Sequence, residues 1–110
     1  MNTITTTGHG EYKVPGGKLV VVDLAIADGR MTAVQVSGDF FLEPASALDR
    51  IDAAVEGMPA DAAEAEISAA VAAALAPDTQ MFGITPEGVA VAVRRALDAA
   101  SSGGDAGGVP

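Results

Sequence analysis

The sequence predicts an α+β fold: a three-stranded antiparallel meander sheet covered on one face by about three helices. Three observations predict it. Period-two alternation of aliphatic and β-branched residues is confined to the first half of the folded region. Apolar residues at steps of three and four begin only after Pro44. Gly and Pro punctuate each change of pattern, so strands come first and helices afterward, the order expected of a sheet with helices segregated to one side.

The elements follow in order. Residues 1–10 are polar and Thr-rich and read as a flexible N-terminal arm. Residues 11–14 can add a first strand, and Pro15-Gly16-Gly17 is the turn into the second. Residues 18–26 are β-branched and aliphatic, with Val20, Val22, Leu24 and Ile26 on one face and Leu19, Val21, Asp23 and Ala25 on the other. Asp28-Gly29 signals a hairpin, and residues 31–37 return with Thr32, Val34 and Val36 on one face. A two-residue turn would set Val22 opposite Gln35 and Asp23 opposite Val34, mixing the faces. A three-residue loop, Ala27-Asp28-Gly29, sets Val22 opposite Val34 and Val20 opposite Val36. The expectation is therefore a type I turn with a G1 bulge.

After Pro44, Leu48, Ile51, Val55 and Met58 make one apolar helical stripe, ended by Gly57 and Pro59. Asp61 with Glu64 reads as a capping-box start for a second helix, with Ile67, Val71, Ala74 and Leu75 inward and Pro77 as its stop. Thr85-Pro86-Glu87 is an N-cap followed by Pro at the first helical position, opening a third helix with Val89, Val93 and Leu97 inward. Residues 101–110, rich in Gly and Ser, read as a disordered tail that cannot offset its ordering entropy by burial. The folded unit is then residues 11–100, a single domain.

Composition narrows the function. The chain has 110 residues, 49% of them hydrophobic, and alanine dominates that share, so the core is expected to be thin and helix-rich. The formal net charge is −9, which repels nucleic acid, and no basic stripe offsets it. The acidity serves solubility or a basic partner. Residues 1–10 lack the apolar core of a secretory signal, and no run of about 18 apolar residues offers a membrane span. The cytoplasm is the expected location.

Active-site chemistry is hard to assemble. There is no Cys, and the one His, His9, lies in the expected arm between two glycines, where it reads as a solvated residue. Neither a nucleophile–base pair nor a Cys- or His-based metal site can be built. Asp49, Asp52, Glu64 and Glu66 read as ordinary exposed helix acids. Gly16-Gly17-Lys18 invites comparison with a phosphate loop, but such a loop opens a helix and this one opens a strand. It is either a structural turn or a local positive charge, because Lys13 and Lys18 are the only lysines and both flank it. Gly38-Asp39-Phe40-Phe41 is the other candidate: an alternating strand stops, the backbone turns, and two rings must be placed, as a core corner or a contact surface. The candidate binding residues are thus Lys13, Gly16, Gly17, Lys18, Gly38, Asp39, Phe40 and Phe41.

Those same residues carry a resemblance. Lys13-Val14-Pro15-Gly16-Gly17-Lys18-Leu19-Val20, Asp28-Gly29-Arg30-Met31 and Gly38-Asp39-Phe40-Phe41-Leu42-Glu43-Pro44 together resemble the small accessory domain of lipoate-protein ligases. Phe82-Gly83-Ile84-Thr85-Pro86-Glu87 and the Ala96-Leu97 ending resemble it too, so the likeness spans about residues 11–97. It departs at Gly88, a poor residue for a first helical turn, and in the Ala-rich second helix.

The resemblance implies a SufE/NifU-like α+β fold. It also implies a non-catalytic subunit or domain that supports lipoate adenylation by a separate catalytic subunit. That catalytic partner binds lipoate, ATP and Mg, forms lipoyl-AMP and transfers lipoyl to an acceptor lysine. No cofactor is expected on this chain alone, and the starting Met and polar arm read as a stand-alone subunit. The alternative is a general protein-interaction module of the same fold with another partner. A sulfur-acceptor scaffold would need cysteines. A lipoyl carrier would need a lysine at its hairpin tip, where this chain has Ala27-Asp28-Gly29-Arg30.

Overall fold

The hairpin shows how the sheet reconciles its turn with its faces. In the computed structural model, which describes residues 5–106, β1 (Thr5–Lys13), β2 (Leu19–Ala27) and β3 (Arg30–Gly38) form an antiparallel meander in that order. Asp28 and Gly29 have φ of 54° and 75°, the double positive φ of a two-residue type I′ turn, and Ala27 pairs with Arg30. The expected three-residue loop is not used. The sheet inserts its extra residue further along, between the Asp23–Gln35 and Ala25–Thr32 pairs, with Ala33 at φ 52°. Beyond that bulge Val22 pairs with Val36 and Val20 with Gly38, so the apolar face is preserved. The requirement read from the sequence holds; the residue that satisfies it is Ala33 rather than Gly29. Met31, not Thr32, therefore joins Val34 and Val36 on the buried side.

β1 starts at Thr5, so residues 5–10, expected as a flexible arm, are strand along their whole length; residues 1–4 lie outside the described residues. The reason is tertiary. α3 (Pro86–Ala106) runs across β1 so closely that a Cβ at Gly8 would fall on Ala96 O, and one at Gly10 on Ala92 O and Ala96 N. Gly88 faces Val14 Cγ2, 2.7 Å from where its own Cβ would be. The weak strand propensity of glycine is overridden because only glycine admits this approach.

α1 (Ala47–Val55) buries Ala47, Ile51 and Val55, and α2 (Glu64–Ala74) buries Ile67 and Val71. With Val89, Val93 and Leu97 of α3 they close one face of the sheet over Val20, Val22, Leu24, Met31, Val34 and Val36. α3 lies on β1 and β2, α1 packs against β3, and α2 bridges the two helices. The predicted α+β architecture is the one observed.

Other details differ. β4 (Phe41–Glu43) and β5 (Gln80–Phe82) pair as a second, two-stranded sheet that the sequence did not announce. α2 starts at Glu64 with Ala63 as N-cap, and only half a capping box forms: Glu66 accepts from Ala63 N–H at 2.8 Å. Asp61 does not cap it. Thr85 caps α3 as expected, accepting from Gly88 N–H at 2.9 Å. The helix continues through Ala106, so residues 101–106 of the expected tail are helical; residues 107–110 lie outside the described residues.

Asp52, expected to be an ordinary helix acid, is a latch, and so is Glu56, which the sequence did not single out. Glu56, just past α1, accepts from Thr32 Oγ1 and from Ala33 and Val34 N–H at 3.0–3.1 Å, and Asp52 accepts from Val36 N–H at 3.0 Å. They satisfy the bulged edge of β3. The Val34 N–H and its neighbours hold the Glu56 carboxyl below its usual range, whereas partial burial pushes Asp52 up. Lowered in the folded state, the Glu56 carboxylate contributes stability that is present above the ordinary Glu value of 4.5 and is lost as pH falls through the folded value. For Asp52 the sign reverses: charge there is unfavourable at neutral pH.

Two predictions follow from this packing. Gly10→Ala forces α3 off β1 and should destabilise the fold by about 1–3 kcal/mol, read from urea denaturation, because the collision is with backbone that has no rotamer to yield. Glu56→Ala should cost about 1 kcal/mol at pH 7 and progressively less as pH falls through the folded Glu56 value, whereas Asp52→Asn, which keeps the acceptor and removes the charge, should be neutral or stabilising. No loss from Glu56→Ala at pH 7 would show that its carboxylate acts only as helix surface.

Candidate binding surface

The Pro15-Gly16-Gly17 turn is built on one hydrogen bond. Gly17 N–H donates to Val14 O at 2.7 Å, with Pro15 at the second position and Gly16 at φ 73° in the third, which is a type II turn. Lys18 follows, and its N–H donates to Gly83 O at 2.9 Å. Gly83 sits so tightly on Lys18 that a side chain there would meet the Lys18 stem. This contact ties the end of β5 to the β1–β2 turn.

On the neighbouring strand, Gly38 holds φ 149° with its Cα hydrogens against Leu19 O. That is a glycine conformation, and the close approach excludes a Cβ independently. Asp39 N–H then donates to Leu19 O at 3.2 Å. The Asp39 carboxylate accepts no hydrogen bond from the turn amides among the described residues.

The chain emerges with its two rings on different sides. Phe40 is half-buried against the core, and Phe41 is exposed. Phe41 pairs with Phe82 across β4 and β5, the rings stacked at 4.7 Å between centroids and 22° between planes. They are the exposed large hydrophobic residues among those described, at 58% and 41%. Exposed aromatic pairs of this kind are uncommon on a surface with no partner.

All eight candidate residues therefore lie at one end of the main sheet. Lys13 and Lys18 are exposed there and form no ion pair among the described residues. On a chain of net charge −9 this end combines both lysines with the exposed rings. It offers apolar contact and two lysines, with the Asp39 and Glu43 carboxylates exposed beside them.

Sequence reasoning did not single out Phe82 and Gly83 as surface residues. The signal was a second Phe-Gly dipeptide, placed to pair with Phe41 only once a β4–β5 ladder is recognised. His9 was also misplaced. It stands on β1 opposite Asp23, its Nδ1 2.6 Å from Asp23 Oδ1 and its Nε2 2.7 Å from Glu11 Oε2. The Glu11 contact, then the Asp23 contact, raises its pKa above 6.5. Both ring nitrogens are occupied, so the cluster is closed on itself, and no group of three or more His, Cys, Asp or Glu side chains among the described residues is placed to hold a metal ion. None of the described helices is long and apolar enough to cross a membrane.

No protein-family model and no curated protein sequence matches the chain. Among solved structures, the fold is shared with a chain of an archaeal lipoylation system from Thermoplasma acidophilum, a bipartite lipoate protein ligase and its E2 lipoyl domain. The TM-score is 0.61 at 20% identity, over 84% of this chain and 98% of that one. At this identity the likeness establishes the fold.

The two neighbouring rings give a direct test of the surface. Phe40→Ala should lower stability by about 2 kcal/mol, less than for a fully buried ring, while Phe41→Ala should leave the melting temperature within a few degrees of the parent. Comparable destabilisation by both, in paired thermal melts, would make the Phe41–Phe82 stack part of the fold rather than a contact surface.

Proposed function

We propose that this protein is a non-catalytic accessory subunit or domain of a lipoate-protein ligase. It supports ATP-dependent lipoate adenylation by a separate catalytic subunit in the cytoplasm, before lipoyl is transferred to acceptor lysines. The observation that carries this reading is the fold, shared over 98% of a chain from a bipartite lipoate ligase system. The end of the sheet bearing Lys13, Lys18 and the Phe41–Phe82 stack supports it, because an assisting subunit needs a surface to present and no reactive group of its own. The carrier role in such a system fits poorly. A carrier presents a lysine at a hairpin tip, and the tip between β2 and β3 is Asp28-Gly29. Lipoate, ATP and Mg belong on this reading to the catalytic subunit.

The test is a reconstitution. The chain alone should release no pyrophosphate from ATP and lipoate, and mixing it with the catalytic subunit should switch that release on. Lys18→Glu should weaken adenylation with little change in folding, since an exposed charge reversal usually shifts stability by about 0.5 kcal/mol or less. Full adenylation by the catalytic subunit alone would sink the proposal, and unchanged lipoyl-AMP formation with Lys18→Glu would return the turn to a structural role.

A further inference from the structure

The two edges of the main sheet are treated differently. Along β3 the outward donors are taken: Met31 N–H by Met58 O at 2.9 Å, Ala33 and Val34 N–H by Glu56, and Val36 N–H by Asp52. Met31 O in turn accepts from Gly57 N–H at 2.7 Å. β1 has no such cover among the described residues. Val14 N–H donates to Lys18 O across the turn, which fixes the phase of the strand. Even-numbered residues turn their backbone groups to β2, so Thr5, Thr7, His9, Glu11 and Lys13 turn theirs outward. All five residues are exposed. Among the described residues this edge receives one hydrogen bond, from Arg95 Nη1 to Glu11 O at 3.0 Å, in agreement with that phase. A nine-residue edge with no Pro, no bulge and no covering element is the kind that folded proteins normally blunt.

We propose that β1 is a strand-addition site, at which an extended acidic segment of the catalytic subunit joins the sheet as its fourth strand. The partner's identity rests on the accessory-subunit reading. The alternative occupant is a second copy, which would pair antiparallel through β1 and place its α3 on the same face beside the first. The free chain is expected to sediment as a monomer, and a dimer paired through β1 would overturn the proposal. Charge favours the stated chemistry. Lys13 and Arg95 stand at the C-terminal half of the edge, Arg95 5.0 Å from the Tyr12 ring centroid, and His9 holds the Glu11 and Asp23 carboxylates. Main-chain pairing would supply affinity, and the side chains on the open face would set register.

Backbone hydrogen exchange on the mixture of this chain with the catalytic subunit tests the proposal. The amides of Thr7, His9 and Glu11 should exchange at least about tenfold more slowly in the complex than in the free chain. Thr7→Pro deletes an outward donor and spares the β2 ladder, an exchange that edge strands tolerate. It should bind about tenfold more weakly with its melting temperature near the parent's. If Thr7→Pro does not fold, Thr7→Glu, which opposes an acidic segment by charge, should show the same loss. A complex that supports adenylation while the β1 amides exchange as in the free chain overturns this proposal alone, as does undiminished binding by the folded Thr7 variants. Absence of any complex overturns the accessory reading along with it.

Discussion

Between Gly10 of β1 and Ala92 and Ala96 of α3 there is no room for a side chain. A helix normally stands off a sheet by the thickness of its side chains, about 10 Å from axis to sheet. Here Gly8 and Gly10 on one side and Gly88, Ala92, Ala96 and Ala100 on the other remove that layer. The alanine-rich composition and scarcity of aromatics follow from it. Dispersion between closely matched backbones replaces the bulk of large side chains, and beside the buried alanines the largest fully buried side chains are Val and Ile with a single Met. The same contact recruits residues 5–10 into the sheet, so it decides where the domain begins. It also aims Arg94 and Arg95. Arg94 donates to Ala60 O and Ala62 O at 3.1–3.2 Å and fixes the approach to α2, while Arg95 reaches over to β1.

The opposite side of the sheet is held by polar rather than steric means. The Ala33 bulge turns two successive N–H groups outward, a feature that would be costly if left unpaired. Glu56 answers with one carboxylate across both of them, and the segment following α1 supplies Met58 and Gly57 for the rest. α1 is thus tied to β3 twice, by Ile51 and Val55 in the core and by Asp52 and Glu56 at the edge. The bulge and the latch depend on each other: without the carboxylate the positive φ of Ala33 would have no compensation, and without the bulge the apolar faces of β2 and β3 would fall out of register.

Much of this could be read from the sequence, and the failures share a cause. The order of strands and helices, the face of β2, the stripes of α1 and α3 and the Thr85 cap follow from local periodicity and capping chemistry, which are properties of one segment at a time. The type I′ turn, the extent of β1, the β4–β5 ladder and the roles of Asp52, Glu56 and His9 are properties of two segments brought together. Residues 1–10 looked like a flexible arm because they are polar and Thr-rich, with His9 set between two glycines. Their alternation placed both glycines on one face, and that was the available sign that a backbone lies against them. The candidate surface was half legible: the Gly16-Gly17-Lys18 turn and the Gly38-Asp39-Phe40-Phe41 corner stood out, but Phe82, which completes the stack, is 41 residues away from Phe41 and joins it only through the second sheet.

Magnitudes decide how much that surface can do by itself. Together the two rings leave roughly one phenylalanine's worth of area exposed, about 200 Å². Full burial of it against a partner would contribute about 5 kcal/mol. Association costs on the order of 4–15 kcal/mol before any affinity appears, and a standard interface covers about 800 Å² per partner. The stack is therefore an anchor that needs further contact around it. Lys13 and Lys18 lie close enough to add charge pairs, but exposed pairs contribute only about 0–1 kcal/mol each. The remaining affinity has to come from a surface with many unsatisfied groups near the same end, and β1, whose last residue is Lys13, provides one. A partner held by an aromatic anchor and by the β1 edge would be held in part by the strand that α3 packs against most closely, so that its position would be set by the most closely packed part of the fold.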